Sequence, residues 1–196
     1  KEETGFKSFV NATVEAIDIA NKAYQQEGNL SGLPTGLIDV DKKLGGLNPS
    51  DLIIIAGRPS MGKTALATNI AFNIAKMNFN NVDSSNKNNG VAKSVVGFFS
   101  LEMSSSQLAA RILSEASKVP SDQIRRGEMS ENEFRRFVEA AQQLESCTLY
   151  IDDTAALPIS TLTARARRLK RTYGLDVLIV DYLQLVRPAS IKDNRV

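Results

Sequence analysis

The chain has 196 residues, 42% hydrophobic and 23% charged, with a formal net charge of +2. That suits one or two globular domains with a sizeable core, and the charge is too mild to imply a polyanion partner by itself. One cysteine and no histidine exclude an internal disulfide, His-ligated metals and His general bases, and favour a reducing compartment.

The first residues, KEETGFKSFV, lack the apolar core of a signal peptide. They also lack an initiator Met, so a piece of a longer chain is expected. No apolar stretch reaches the ~20 residues of a bilayer span, and no membrane partner is expected. From Phe6 to Gln26, Phe6, Val10, Val14, Ile17, Ala20 and Tyr24 recur at helical spacing, which predicts an amphipathic helix. Its apolar face packs either on its own domain or on a neighbouring subunit. GNLSGLPTG follows and reads as a linker.

Leu52–Ala56 is a continuous apolar run rich in Ile, the pattern of a strand buried on both faces. It runs into Gly57, Arg58, Pro59, Ser60, Met61, Gly62, Lys63, Thr64 and Ala65. GRPSMGKT fits the phosphate-binding pattern G-x-x-x-x-G-K-[ST]. Such a loop turns its N–H groups inward, and the helix that follows adds free donors and a positive dipole end. Gly62 permits close approach to the anion, Lys63 reaches the β- and γ-phosphates, and the Thr64 hydroxyl ligates Mg²⁺. A nucleotide, ATP with Mg²⁺, is the expected ligand.

A helix is expected over Thr64–Met77. Residues 78–90 carry six asparagines and little that is apolar, which reads as a solvated insertion loop. A strand over Val95–Leu101 ends beside Glu102. Helices follow at Ser104–Ser117 and Ser130–Leu144, with capping-box spacing at Ser104/Gln107 and Ser130/Glu133. Cys147 reads as a small buried residue before a strand at Leu149–Asp152. That strand ends in Asp152–Asp153. A helix over Ser160–Tyr173 carries Arg165, Arg167, Arg168, Lys170 and Arg171. These basic groups either contact phosphates or lie on a solvated or subunit-interface face, since Leu162, Ala166, Leu169 and Tyr173 form an apolar stripe. The last strand, Val177–Leu183, contains four apolar residues followed by Asp181, the Walker B form, in which the carboxylate orients Mg²⁺.

Apolar strands alternating with helices predict an α/β fold, a mostly parallel sheet with helices on both faces. Reactive groups then gather at the carboxyl ends of the strands. Hydrolysis needs a carboxylate beside the attacking water. Glu102 fits, and Asp152–Asp153 competes with it.

GLPTGLIDVDKKLGGLNPSDLIIIAGRPSMGKTALA, GFFSLEMSSSQLAARIL and LDVLIVDYLQLVR resemble the motor domain of the bacterial replicative DNA helicases, the DnaB family. The likeness runs from about Ile17 to Arg187, and RPSMGKT, SLEM and DYLQL mark that family within the RecA-like class. The resemblance implies a RecA-like P-loop NTPase core over residues 31–196, truncated at its C-terminal side and preceded by a linker helix region, 1–30. It implies a homohexameric ring on single-stranded DNA that couples ATP hydrolysis to translocation and unwinding at the replication fork, with primase and a helicase loader as partners, in the bacterial cytoplasm at the nucleoid.

By the same resemblance Glu102 is the catalytic glutamate, acting with Lys63, and Asp181 is the Walker B acid. Gln184 couples the γ-phosphate to the DNA side, and Arg187 lies in a loop facing the DNA channel. The helix ahead of the core docks on the adjacent subunit. The N-terminal collar lies outside the sequence. The principal DNA loop, the last core strands and the arginine finger fall beyond Val196. Nucleotide binding by this piece is therefore expected to be weak and hydrolysis slow. The alternatives are a RecA-type recombinase or KaiC-like ATPase without strand separation, and a nucleotide-gated scaffold. A scaffold has no need of the SLEM glutamate.

Overall fold

A computed structural model describes residues 7–25, 30, 32–79 and 92–186. The chain divides into two compact units, Lys1–Ile53 and Ile54–Val196.

In the first unit, helix α1 spans Phe9–Gln25, inside the predicted range. Phe9, Val10, Val14 and Ile17 lie exposed along it. Helix α2, Ile38–Leu44, has seven residues. Two turns are too few for the apolar period to show in the sequence. Part of the predicted linker is structured. Leu33 pairs with Leu47 in an antiparallel bridge. The buried Asp41 carboxylate accepts from Thr35 N and Oγ1 at 2.8 and 2.7 Å and from Gly36 N at 3.2 Å. Side-chain-to-backbone bonds of this kind leave no periodic signal.

In the second unit, helix α3 covers Lys63–Lys76. Two short strands, β1 (Asn78–Phe79) and β2 (Ala92–Lys93), pair antiparallel at either end of the asparagine-rich stretch. Residues 80–91 of that expected loop lie outside the described residues. Strand β3 (Val96–Ser100) leads to helices α4 (Ser105–Ser117), α5 (Ser121–Arg126) and α6 (Glu131–Leu144). Strand β4 (Leu149–Asp152), helix α7 (Ile159–Tyr173) and strand β5 (Val177–Asp181) complete it. Both capping boxes form as expected, at Ser104/Gln107 and Ser130/Glu133. The six-residue α5 is too short for the sequence to announce. The last strand ends two residues early, because Leu183–Leu185 turns into a 3-10 helix.

The sheet is parallel with order β4-β3-β5. All five β3 residues are buried. Side chains alternate along a strand, so Gly97 and Phe99 share a face, and α7 covers it. A Cβ on Gly97 would meet Leu169 Cδ2 at 2.9 Å, and Phe99 packs with Leu101, Leu157 and Leu162. Val96 and Phe98 point to the opposite face and are also fully buried. Helix α3 packs against β3, β4 and β5.

The expected strand Leu52–Ala56 does not form. Residues 51–58 have no regular structure, and Leu52 and Ile54 are 86% and 78% exposed. An apolar run encodes a tendency to be buried, but a strand also needs a neighbour for its N–H and C=O groups. No strand among the described residues pairs with this one.

Burial sets the mutational response. Phe98→Ala removes a fully buried ring and is expected to cost about 3–5 kcal/mol in urea unfolding. Ile54→Lys, at an exposed position, should stay within about 0.5 kcal/mol of the parent chain.

Candidate nucleotide-binding site

The turn that follows residue 56 is exposed from Gly57 to Gly62. Met61 N donates to Arg58 O at 3.3 Å, and Leu66 N donates to Gly62 O at 2.9 Å, which starts α3. Gly62 is the N-cap of that helix with φ +84°. A side chain is disfavoured there by about 1–2 kcal/mol even though the space around it is open. The helix has no side-chain cap, so the amides of its first turn, Lys63, Thr64 and Ala65, are available to an anion. Lys63 Nζ donates to Gly57 O at 2.8 Å and Arg58 O at 3.5 Å, folding back over the loop. Thr64 is half-buried, and its carbonyl accepts from Thr68 Oγ1 at 2.6 Å.

The carboxyl ends of β3 and β5 lie side by side. Ser100 stands beside Asp181 in register, and Leu101 N donates to Asp181 O at 2.8 Å. Asp181 is buried at 7% exposure. Glu102 lies two residues past the end of β3 and is exposed. Gln184 sits in the 3-10 turn that follows β5, and is exposed. Arg187 lies outside the described residues.

The competing carboxylates have other partners. Arg165 Nη1 donates to Asp152 Oδ1 and Oδ2 at 3.0 and 2.7 Å and to Thr154 Oγ1 at 2.7 Å. Burial opposes ionisation of Asp152, but the bonds from Arg165 and Thr154 outweigh it and hold the carboxyl below its usual range. Asp153 Oδ2 accepts from Ser105 N at 2.7 Å. That bond, from the backbone at the start of α4, lowers the Asp153 carboxyl as well. Neither link was visible in the sequence, since the partners lie 13 and 48 residues away.

The basic residues of α7 are exposed, and Arg165 is paired with Asp152, while Leu162, Ala166 and Leu169 turn inward. Cys147 is half-buried ahead of β4. Among the described residues no group of three or more His, Cys, Asp or Glu could hold a metal ion alone. One carboxylate, Asp181, and one hydroxyl, Thr64, suit a Mg²⁺ that draws its remaining ligands from phosphates and water. No helix among the described residues is long and apolar enough to cross a membrane.

The DnaB-like helicase C-terminal domain family matches residues 32–196. The replicative DNA helicase DnaB of Rickettsia prowazekii is 45% identical over 200 residues, covering 100% of this chain and 40% of that protein. The DnaB of Geobacillus stearothermophilus is 35% identical over 196 residues, with the same coverage of both. A solved ATPase domain superposes with a TM-score of 0.79 at 26% identity, over 97% of this chain and 62% of that one. A structure of a DnaB-like replicative helicase and its interactions with primase gives 0.78 at 26%, over 99% and 43%. The chain belongs to the DnaB-like helicase C-terminal domain family, whose RecA-like ATPase fold it shares. Membership implies nucleotide use. The chain spans about 40% of the length of these curated relatives.

The Asp152–Arg165 pair gives a pH signature. A carboxyl lowered on folding adds stability above its unfolded value, about 3.9, and loses it as pH falls through the folded value. Unfolding free energy should therefore decline between pH 5 and 3, and less steeply in Asp152→Asn. Because the pair is partly exposed, the difference should stay under about 1 kcal/mol.

Proposed function

We propose that this chain is the phosphate- and Mg²⁺-binding part of a DnaB-type replicative helicase motor, with residues 1–30 as a linker helix region and 31–196 as the ATPase domain. The pairing of Ser100 with Asp181 carries this reading. It sets the SLEM turn and the Walker B acid side by side at the carboxyl edge of the sheet, where ligands bind in open α/β folds. The uncapped P-loop helix α3 packs against the same strands.

In this reading the amides of residues 57–65 cradle the phosphates of ATP. Lys63 exchanges its bonds to Gly57 O and Arg58 O for phosphate oxygens. Thr64 and Asp181 would hold Mg²⁺, which would supply positive charge against the phosphates. Glu102 aligns and deprotonates the attacking water. Gln184 couples the γ-phosphate to the DNA side, and Arg187 contacts single-stranded DNA. The full protein works as a homohexamer in the cytoplasm, with primase and a loader as partners. The apolar stripe of α1, with Phe9, Val10, Val14 and Ile17 exposed, docks on the adjacent subunit.

The test is ATP hydrolysis by the full-length protein, with and without single-stranded DNA, alongside displacement of a forked duplex. DNA-stimulated hydrolysis with displacement supports the motor. Hydrolysis without displacement overturns it in favour of a recombinase-like or KaiC-like ATPase. Lys63→Ala should lose nucleotide binding or turnover. Glu102→Gln should keep nucleotide affinity and lose turnover by about 10²–10³-fold, and turnover equal to wild type would remove Glu102 from its role.

A further inference from the structure

The turn that carries Glu102 is fastened at every residue but Glu102 itself. Leu101 on one side is buried in the cluster with Phe99, Leu157 and Leu162, and its N–H donates to Asp181 O. Met103 on the other side is tied across the turn by Ser100, whose buried hydroxyl donates to Met103 O at 2.7 Å. Ser104 caps α4 through its box with Gln107. Ser105 N donates to the Asp153 carboxylate at 2.7 Å, so the end of β4 grips the far end of the turn. Asp153 is exposed and Thr154 N bonds its neighbour Asp152 rather than Asp153, so nothing in the core requires a carboxylate here.

We infer that Ser100 and Asp153 are positioning residues for Glu102: between them they fix the Ser100–Ser105 backbone so that the glutamate side chain reaches one place beside Asp181. This rests on the reading of Glu102 as the water-aligning base. A base must sit within hydrogen-bond reach of the water it activates, and small displacements of such a group are costly in rate. A charge-assisted bond from a carboxylate to a backbone N–H is short and directional. Asp153 therefore acts through the backbone of the turn, and it touches neither nucleotide nor metal.

The experiment uses the full-length protein and measures kcat for ATP, ADP affinity and melting temperature. Asp153→Ala and Ser100→Ala should each lower kcat about tenfold while ADP affinity stays within about twofold. Asp153→Asn keeps an acceptor for Ser105 N and should recover most of the rate. Combined with Glu102→Gln, neither substitution should lower turnover further, because there is no longer a base to position. The inference is overturned if Asp153→Ala leaves kcat unchanged, if kcat and ADP affinity fall together, or if the losses multiply in the Glu102→Gln protein. Wild-type turnover in Glu102→Gln alone strikes instead at the base assignment on which the inference rests.

Discussion

Strand β3 is hydrogen-bonded on both edges, to β4 and to β5, and it both sets Ser100 beside Asp181 and leads into the turn that carries Glu102. Parallel pairing brings the carboxyl ends of all three strands to one side of the sheet. The register then decides which residues meet there, and packing locks the register. A one-residue slip would exchange the two faces of β3. It would bring Phe98 to the place where Gly97 admits Leu169, and turn Phe99 out of its cluster with Leu157 and Leu162. The adjacency of Ser100 and Asp181 is thus a consequence of hydrophobic packing several residues away.

The helices divide by how they begin. α4 and α6 satisfy their first amides with complete capping boxes, whereas α3 starts at a left-handed glycine with no side-chain cap. A glycine N-cap costs only about a few tenths of a kcal/mol relative to a capping side chain. Helices α2, α5 and α7 also lack a side-chain cap, so what sets α3 apart is its start at a left-handed glycine, which in the proposed reading leaves the backbone open to an anion. Lys63 fits that picture. Its ammonium rests on the carbonyls of Gly57 and Arg58, neutral acceptors that an anionic phosphate outcompetes.

Local rules were legible in the sequence and tertiary ones were not. The caps at Ser104 and Ser130 depend on residues three apart, and β3, β4 and β5 are short apolar runs bounded by helices, so β4 emerged with the expected bounds and β3 and β5 with ends shifted by a residue or two. Leu52–Ala56 has the same apolar pattern and yet forms no strand, because pairing belongs to the neighbour and not to the run. The fastening of Thr35 and Gly36 by Asp41 was hidden in a stretch that reads as linker by composition. At the candidate site, spacing picked out the P-loop pattern and the Walker B form at Asp181, whereas Glu102 rested on its place after a strand and on the family resemblance. What spacing could not settle was the competition between Glu102 and Asp152–Asp153.

Their partners distinguish the three carboxylates. A general base needs an accessible lone pair and a proton affinity high enough to use it. Arg165 bridges both oxygens of Asp152, and Asp153 receives the Ser105 amide. In each case the bond stabilises the charged form, which makes the carboxylate a poorer proton acceptor than a free one. At Glu102 the backbone neighbours are anchored on both sides while the side chain is exposed. Asp153 ties the far end of the turn through Ser105 N and Asp152 is taken up by Arg165, whereas Glu102 faces outward from an anchored backbone, as the role proposed for it requires.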